Sequence, residues 1–135
     1  MVSDAEAAYA AGILDGEGSI ALTRNRRVRW PSPQVAVATT DRELVEWLRQ
    51  RFGGVIVRKR TYQPQHSPSY DWKLTDRRAL KFLERIRPFL VIHRKRARCD
   101  LLLLEYLAST PRNGRYTQAL RERKQRLIES FSSLP

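Results

Sequence analysis

Cysteine is nearly absent. Cys99 is the one cysteine in 135 residues, so no intrachain disulfide can form and a cysteine-based metal centre is excluded. It lies in Ala97-Arg98-Cys99-Asp100-Leu101-Leu102, a helical run in which a thiol is expected to be buried and inert rather than nucleophilic. Long apolar runs are also missing. The leucine run Leu101 to Leu104 is far shorter than the roughly twenty residues that cross a bilayer. Met1 to Glu6 carry two acids and no base, which fits neither a signal nor a transit peptide. A soluble, intracellular chain with no membrane partner is expected. Acids are scarce as well: 14 Asp plus Glu stand against 26 Lys plus Arg, a net charge of +12.

That imbalance attracts polyanions. Most of the cations are arginine, whose forked guanidinium suits phosphates and guanine edges. The length fits a single domain over residues 1–135, large enough for one core.

Apolar periodicity and turn residues give the element order. A helix over residues 4–16, capped by Asp4, runs into Gly16-Glu17-Gly18. A short strand, Ser19 to Thr23, follows. Pro31 and Pro33 mark the turn into a second strand, Gln34 to Ala38. Thr40 caps a second helix, with Glu43 completing a capping box; that helix runs to Phe52 and ends at Gly53-Gly54. Strands Val55 to Arg60 and Tyr70 to Leu74 follow, then a helix from Asp76 that Pro88 interrupts, a helix from about His93 to Ala108, and a last one from about Thr117 to Phe131. The fold class is α+β: an αββαββα core with a four-stranded antiparallel sheet of two hairpins, plus C-terminal helices.

Side chains alternate along strands, so assigning a core face assigns the opposite face. With Ile20, Leu22, Val35, Val37, Val55, Val57, Trp72 and Leu74 inward, the outward set is Ala21, Thr23, Asn25, Arg27, Gln34, Ala36, Ala38, Ile56, Arg58, Arg60, Asp71 and Lys73. This is either an ordinary solvated face or a surface laid along a DNA major groove, which admits β-strands. A sheet that binds RNA usually exposes aromatics to stack on bases; Trp72 on the core face argues against that reading.

The densest signal is Ala10-Ala11-Gly12-Ile13-Leu14-Asp15-Gly16-Glu17-Gly18. Ala8, Gly12 and Gly16 lie four apart, one stripe of tiny residues with Ala11 beside it, on which a second helix can pack closely. Asp15 and Glu17 stand at the helix C-terminus, where unpaired carbonyls make an acid unfavourable by a few tenths to about 1 kcal/mol. Local stability does not explain them; a hard divalent cation such as Mg²⁺ does.

This string resembles the signature of the LAGLIDADG homing endonuclease family, with Ala10 for the first Leu, Ile13 and Leu14 for the apolar pair, Gly16 for the second Ala and Glu17 for the second Asp. The element order after it, and Arg87-Pro88-Phe89-Leu90 before a basic helix start, look like the same family over nearly the whole chain. The resemblance implies a metal-dependent double-strand DNA endonuclease. A chain with one motif, as here, is implied to be a homodimer on a long, roughly palindromic site, with the sheets as a saddle and short 3′ overhangs as products. No small-molecule substrate is implied. Glu17 becomes the metal-binding acid and Gly16 lends its carbonyl, to Mg²⁺ or to Mn²⁺ or Ca²⁺ in its place. Ala8, Ala11, Gly12 and Asp15 fall at the dimer interface, with Asp15 structural. Thr39 helps place the attacking water. A basic residue after the Pro-Phe-Leu turn supports the transition state: His93 stands where lysine is often found, with Arg94 and Lys95 beside it. The final helix, with Arg115, Arg121, Arg123, Lys124 and Arg126 in and before it, either grips DNA backbone or is a solvated face. The rival on the same scaffold is a non-cleaving intron maturase or DNA-binding regulator.

Overall fold

The computed structural model describes residues 1–24, 30–59 and 68–135. Helix α1, Asp4–Glu17, leads into strand β1, Gly18–Thr23, and β2, Ser32–Thr39. Helix α2, Arg42–Phe52, precedes β3, Val55–Lys59, and β4, Ser69–Thr75. Helices α3, Asp76–Ile86, α4, His93–Glu105, and α5, Gln118–Ser132, complete the chain, with short 3₁₀ turns at Arg87–Phe89 and Leu107–Ser109. The expected α+β order is present. Among the described residues no helix is long and apolar enough to cross a membrane.

The sheet is antiparallel in the order β1-β2-β4-β3, two hairpins joined through β2 and β4. Helices cover one face. There Ala7, Ala10, Ala11 and Leu14 of α1 meet Ile20, Val35, Val37, Trp72 and Leu74 of the sheet and Leu80, Leu83 and Ile86 of α3, all buried. Burying one leucine-sized side chain contributes roughly 1.5–3 kcal/mol, so this layer carries most of the fold. Cys99 is buried in it, and burial pushes its thiol up to about 12; the inert thiol read from its context is what the structure holds.

Several local expectations are corrected. Ser3, not Asp4, caps α1: its Oγ accepts from the Glu6 N–H, and Glu6 accepts from the Ser3 N–H. No capping box forms at α2, whose N-cap is Asp41; the Thr39 hydroxyl accepts the Asp41 N–H at 3.1 Å instead. Pro33 lies inside β2 rather than in a turn, opposite Leu22 and beyond the stretch that pairs with β4, so its missing N–H disrupts no central ladder. Helix α4 ends at Glu105, short of Ala108.

The largest correction is β3. Val55 and Val57 are exposed by 59% and 48%, while Ile56 packs against the core opposite Trp72. Arg58, opposite Tyr70, therefore lies on the helix side of the sheet, in a groove with Arg42, Glu46, Arg49 and Ile56, and not on the open face. A run of three apolar residues does not state its own phase. The phase is set by Gly53-Gly54, where φ is +80° and +98° and the Trp72 Nε1–H donates to the Gly53 carbonyl at 2.8 Å. A Cβ on Gly54 would meet the Lys73 carbonyl oxygen at 2.6 Å, so only glycine fits.

Candidate metal and nucleic-acid site

Helix α1 ends abruptly. It passes straight into β1 with no loop, and a Cβ on Gly18 would lie 2.9 Å from the Leu14 Cα. Glycine there lets the strand start against the helix. The last carbonyls of a helix have no partner within it. Here the Leu14 carbonyl accepts the Gly18 N–H, and Lys95, from α4, adds a charged donor: its ammonium donates to the Leu14 carbonyl at 2.8 Å and to the Gly18 carbonyl. Burial holds Lys95 below the ordinary lysine range, Arg94 and Arg98 push the same way, and Asp15 opposes them.

Asp15 is tied down. Its two oxygens accept the N–H groups of Val91 at 2.8 Å and Ile92 at 3.2 Å. These bonds fasten the segment entering α4 to the end of α1, and the paired Arg87–Asp100 contacts at 2.7 and 3.0 Å brace the turn before it. Glu17 differs from Asp15. It is exposed, and among the described residues it has no hydrogen bond or ion pair. The Gly16 backbone beside it is also exposed.

Gly18, the first residue of β1, pairs with Val37, two residues before Thr39 at the end of β2, so Thr39 lies at the sheet end where α1 passes into β1. Its hydroxyl is already engaged by the Asp41 N–H. His93 and Lys95 are two apart on α4 and cannot share a face. His93 is exposed at the helix start while Lys95 is buried beneath α1. The structure thus gathers Gly16, Glu17, Asp15, Lys95 and Thr39 at one end of the sheet, and it separates the roles of His93 and Lys95.

The donor set is of the kind Mg²⁺ takes and would fill part of its shell. A free carboxylate beside helix-terminal carbonyls is hard-oxygen chemistry, yet among the described residues no three His, Cys, Asp or Glu side chains cluster to close a cage. Waters, phosphate oxygens or a second chain would have to complete one. Next to this end runs the stripe of Ala8, Gly12 and Gly16. Gly12 and Gly16 face open space, and Tyr9, stacked edge-on against Trp47 at 5.0 Å, flanks it. Ala11 does not belong to that surface. It is fully buried in the chain's own core, because it lies one residue off the stripe on the side that faces the sheet.

The open face of the sheet carries Ser19, Ala21 and Thr23 from β1, Gln34, Ala36 and Ala38 from β2, Val55, Val57 and Lys59 from β3, and Asp71, Lys73 and Thr75 from β4. Ala21, Thr23, Gln34, Ala36, Asp71 and Lys73 are where alternation put them. Asn25, Arg27 and Arg60 lie outside the described residues. Lys59 was missed, and with it the ion pair it makes with Asp71 at 3.2 Å; the phase of β3 was the missing signal.

Comparison with solved structures shows the same fold. The homing endonuclease I-CvuI, crystallised with its DNA target and calcium, superposes with a TM-score of 0.77 at 18% identity, over 98% of this chain and 83% of that one. I-SmaMI bound to uncleaved DNA with calcium gives 0.65 at 20% identity, this chain spanning 45% of it. The homing endonuclease I-TnaI gives 0.56 at 19% identity, over 97% and 99% of the two chains. Comparison with curated protein sequences finds no match. The family model for the LAGLIDADG-like domain matches residues 4–87, which span α1 through α3 and the whole sheet. The chain belongs to the LAGLIDADG family.

Proposed function

We propose that this chain, as a single domain over residues 1–135, is a site-specific DNA endonuclease. It acts inside the cell as a homodimer on a long pseudo-palindromic duplex and leaves 3′ overhangs. The observation that carries the reading is the unpartnered, exposed Glu17 carboxylate at a helix end where an acid is locally unfavourable. The bare glycine stripe beside it supports two-fold packing of α1 on its symmetry mate, which would bring two Glu17 carboxylates together.

Glu17 and the Gly16 carbonyl would hold the divalent cation, Mg²⁺ with Mn²⁺ or Ca²⁺ as substitutes. Bound there, the cation supplies a lowered water pKa and neutralisation of charge on the scissile phosphate. Lys95 and Asp15 fix the helix end that carries Glu17. Thr39 and exposed His93 would orient water or steady the phosphate. Lys73, Gln34, Thr23 and the backbone at Ala21 and Ala36 would contact the duplex, consistent with I-CvuI and I-SmaMI, which share the fold and were crystallised on DNA.

The test is cleavage of a randomised duplex library with Mg²⁺, comparing wild type with Glu17→Gln. Discrete double-strand cuts at a two-fold-related site, reduced more than about a hundredfold in the variant, are expected: removing a ligand should exceed the 10- to 100-fold effect typical of groups behind the ligands. Tight binding without cutting by the wild type would instead establish the maturase or regulator reading.

A further inference from the structure

Among the described residues only two buried side-chain polar atoms lack a partner, and one of them is Asp71 Oδ1. Asp71 is 9% exposed, yet it sits on the open face of the sheet, flanked across the strands by Val57 and Ala38, neither of which can donate a hydrogen bond. Its other oxygen, Oδ2, meets the Lys59 ammonium at 3.2 Å. An ionised carboxylate has about four acceptor sites, and a buried carboxylate oxygen left unpaired destabilises the free protein. Nothing in the fold requires it there: its neighbours Ala36, Ala38 and Val57 show that small or apolar residues suit that face.

A duplex pressed on this face brings phosphates, which repel a carboxylate, and base edges. In the major groove only cytosine N4 and adenine N6 carry a donor. Adenine sets its N7 acceptor beside that donor, against the second carboxylate oxygen. Cytosine presents the donor alone, and the O6 of its guanine lies next to it, at the roughly 2.9 Å of the bond that joins the pair. Lys59 and Asp71 hold a donor and an acceptor at nearly that spacing.

Resting on the DNA-binding reading of the sheet, we infer that Lys59 and Asp71 act as one unit that reads a C·G base pair in each half-site, Asp71 accepting from cytosine N4 and Lys59 donating to guanine O6. Rotation of the carboxylate brings the unpartnered Oδ1 into use, one oxygen keeping the Lys59 ammonium while the other takes the base. Asp71 also acts against thymine and guanine, whose edges would face it with acceptors.

The experiment selects bound duplexes from a randomised library for the full-length wild type, Asp71→Asn and Asp71→Ala, with melting temperatures confirming that the variants fold. The second variant covers a failure of the first. The wild type should require cytosine at one position and its symmetry mate. Asp71→Asn should shift that position toward adenine, which an amide contacts through both N6 and N7, and Asp71→Ala should lower discrimination there about tenfold, with the other positions unchanged. If the wild type selects a sequence and both variants select the same one, the inference is overturned while DNA recognition stands. If the wild type selects no sequence, recognition by the sheet fails and the inference with it.

Discussion

The two ends of α1 follow opposite rules. At the N-terminus Ser3 and Glu6 close a reciprocal capping box, Asp4 and Glu6 lie in the first turn, and the Glu6 carboxyl is held below its usual range chiefly by the Ser3 N–H. Every group there suits the positive end of a helix. At the C-terminus there is no base in the last turn, two acids stand at the negative end, and the compensating cation, Lys95, comes from α4, about eighty residues along the chain. Asp15 recovers its position through two N–H bonds; Glu17 recovers nothing within the described residues. A residue placed against local stability and left without compensation is the reason we propose that this end acts on something outside the chain.

The strongest way to break the comparison is Glu17→Gln. It should abolish cleavage, by the hundredfold or more argued above, without unfolding the protein. Loss of the fold in this variant would mean that Glu17 is structural like Asp15 and that the two acids do not differ.

Next in size is Lys95→Met. It removes one donor from the Gly18 carbonyl and one from the Leu14 carbonyl, which keeps the Gly18 N–H; a hydrogen bond to a charged group contributes about 1.5–3 kcal/mol, partly offset because no charge is then desolvated. Urea denaturation should show a net loss of about 1–2 kcal/mol, and cleavage should fall because the segment bearing Glu17 loosens.

Lys124 sharpens the point, being a second buried lysine away from the α1 end. Its ammonium bonds the Thr110 hydroxyl at 2.6 Å and lies 3.9 Å from the Tyr106 ring centre. Burial pushes it down to about 8 from 10.5, with Asp76 pulling the other way. Between those values the unfolded chain binds the additional proton, so this group makes stability rise with pH from about 8 to 10.5, and its full penalty is present below 8. Lys124→Met should therefore raise stability at pH 7 by about 1–2 kcal/mol, lose that rise relative to wild type, and leave cleavage unchanged. Melting curves across pH, read as variant minus wild type, decide it. A loss of cleavage equal to that of Lys95→Met would erase the distinction between the two lysines.

How much of this was readable beforehand divides along the same line. Features fixed by residues close in sequence were legible: the α1 end with Asp15-Gly16-Glu17, the glycine stripe, the alternation of β1 and β2, and the buried Cys99. What depended on distant partners was not. Val55-Ile56-Val57 fits either phase, and only the Trp72–Gly53 bond and the register with β4 choose one; Arg58 and Lys59 changed faces with it. The capping of α1 by Ser3 was missed because Asp4 next to it is an equally good cap by type, and the geometry of Glu6 decides between them. Ala11 was assigned to the stripe by proximity, and the packing of α1 on the sheet turned it inward. Lys95 could be placed near the turn, but its pairing with two carbonyls across the fold could not be read from α4 alone.

The smallest effect tests the comparison most directly, because it turns on sign. Ser3→Ala removes the hydroxyl that satisfies the Glu6 N–H at 3.1 Å, and loss of such a cap costs about 1 kcal/mol. Glu17→Gln removes a negative charge from the negative end of the same helix and should gain a few tenths of a kcal/mol. Cleavage should respond in the reverse order: untouched by Ser3→Ala, which is a helix length away, and lost with Glu17→Gln. Paired urea titrations of the two variants, at low salt where helix-end charges are least screened, measure both signs. A stability loss in Glu17→Gln would mean that the carboxylate has a partner inside the folded chain, and the argument that it is kept for a ligand would lose its physical basis.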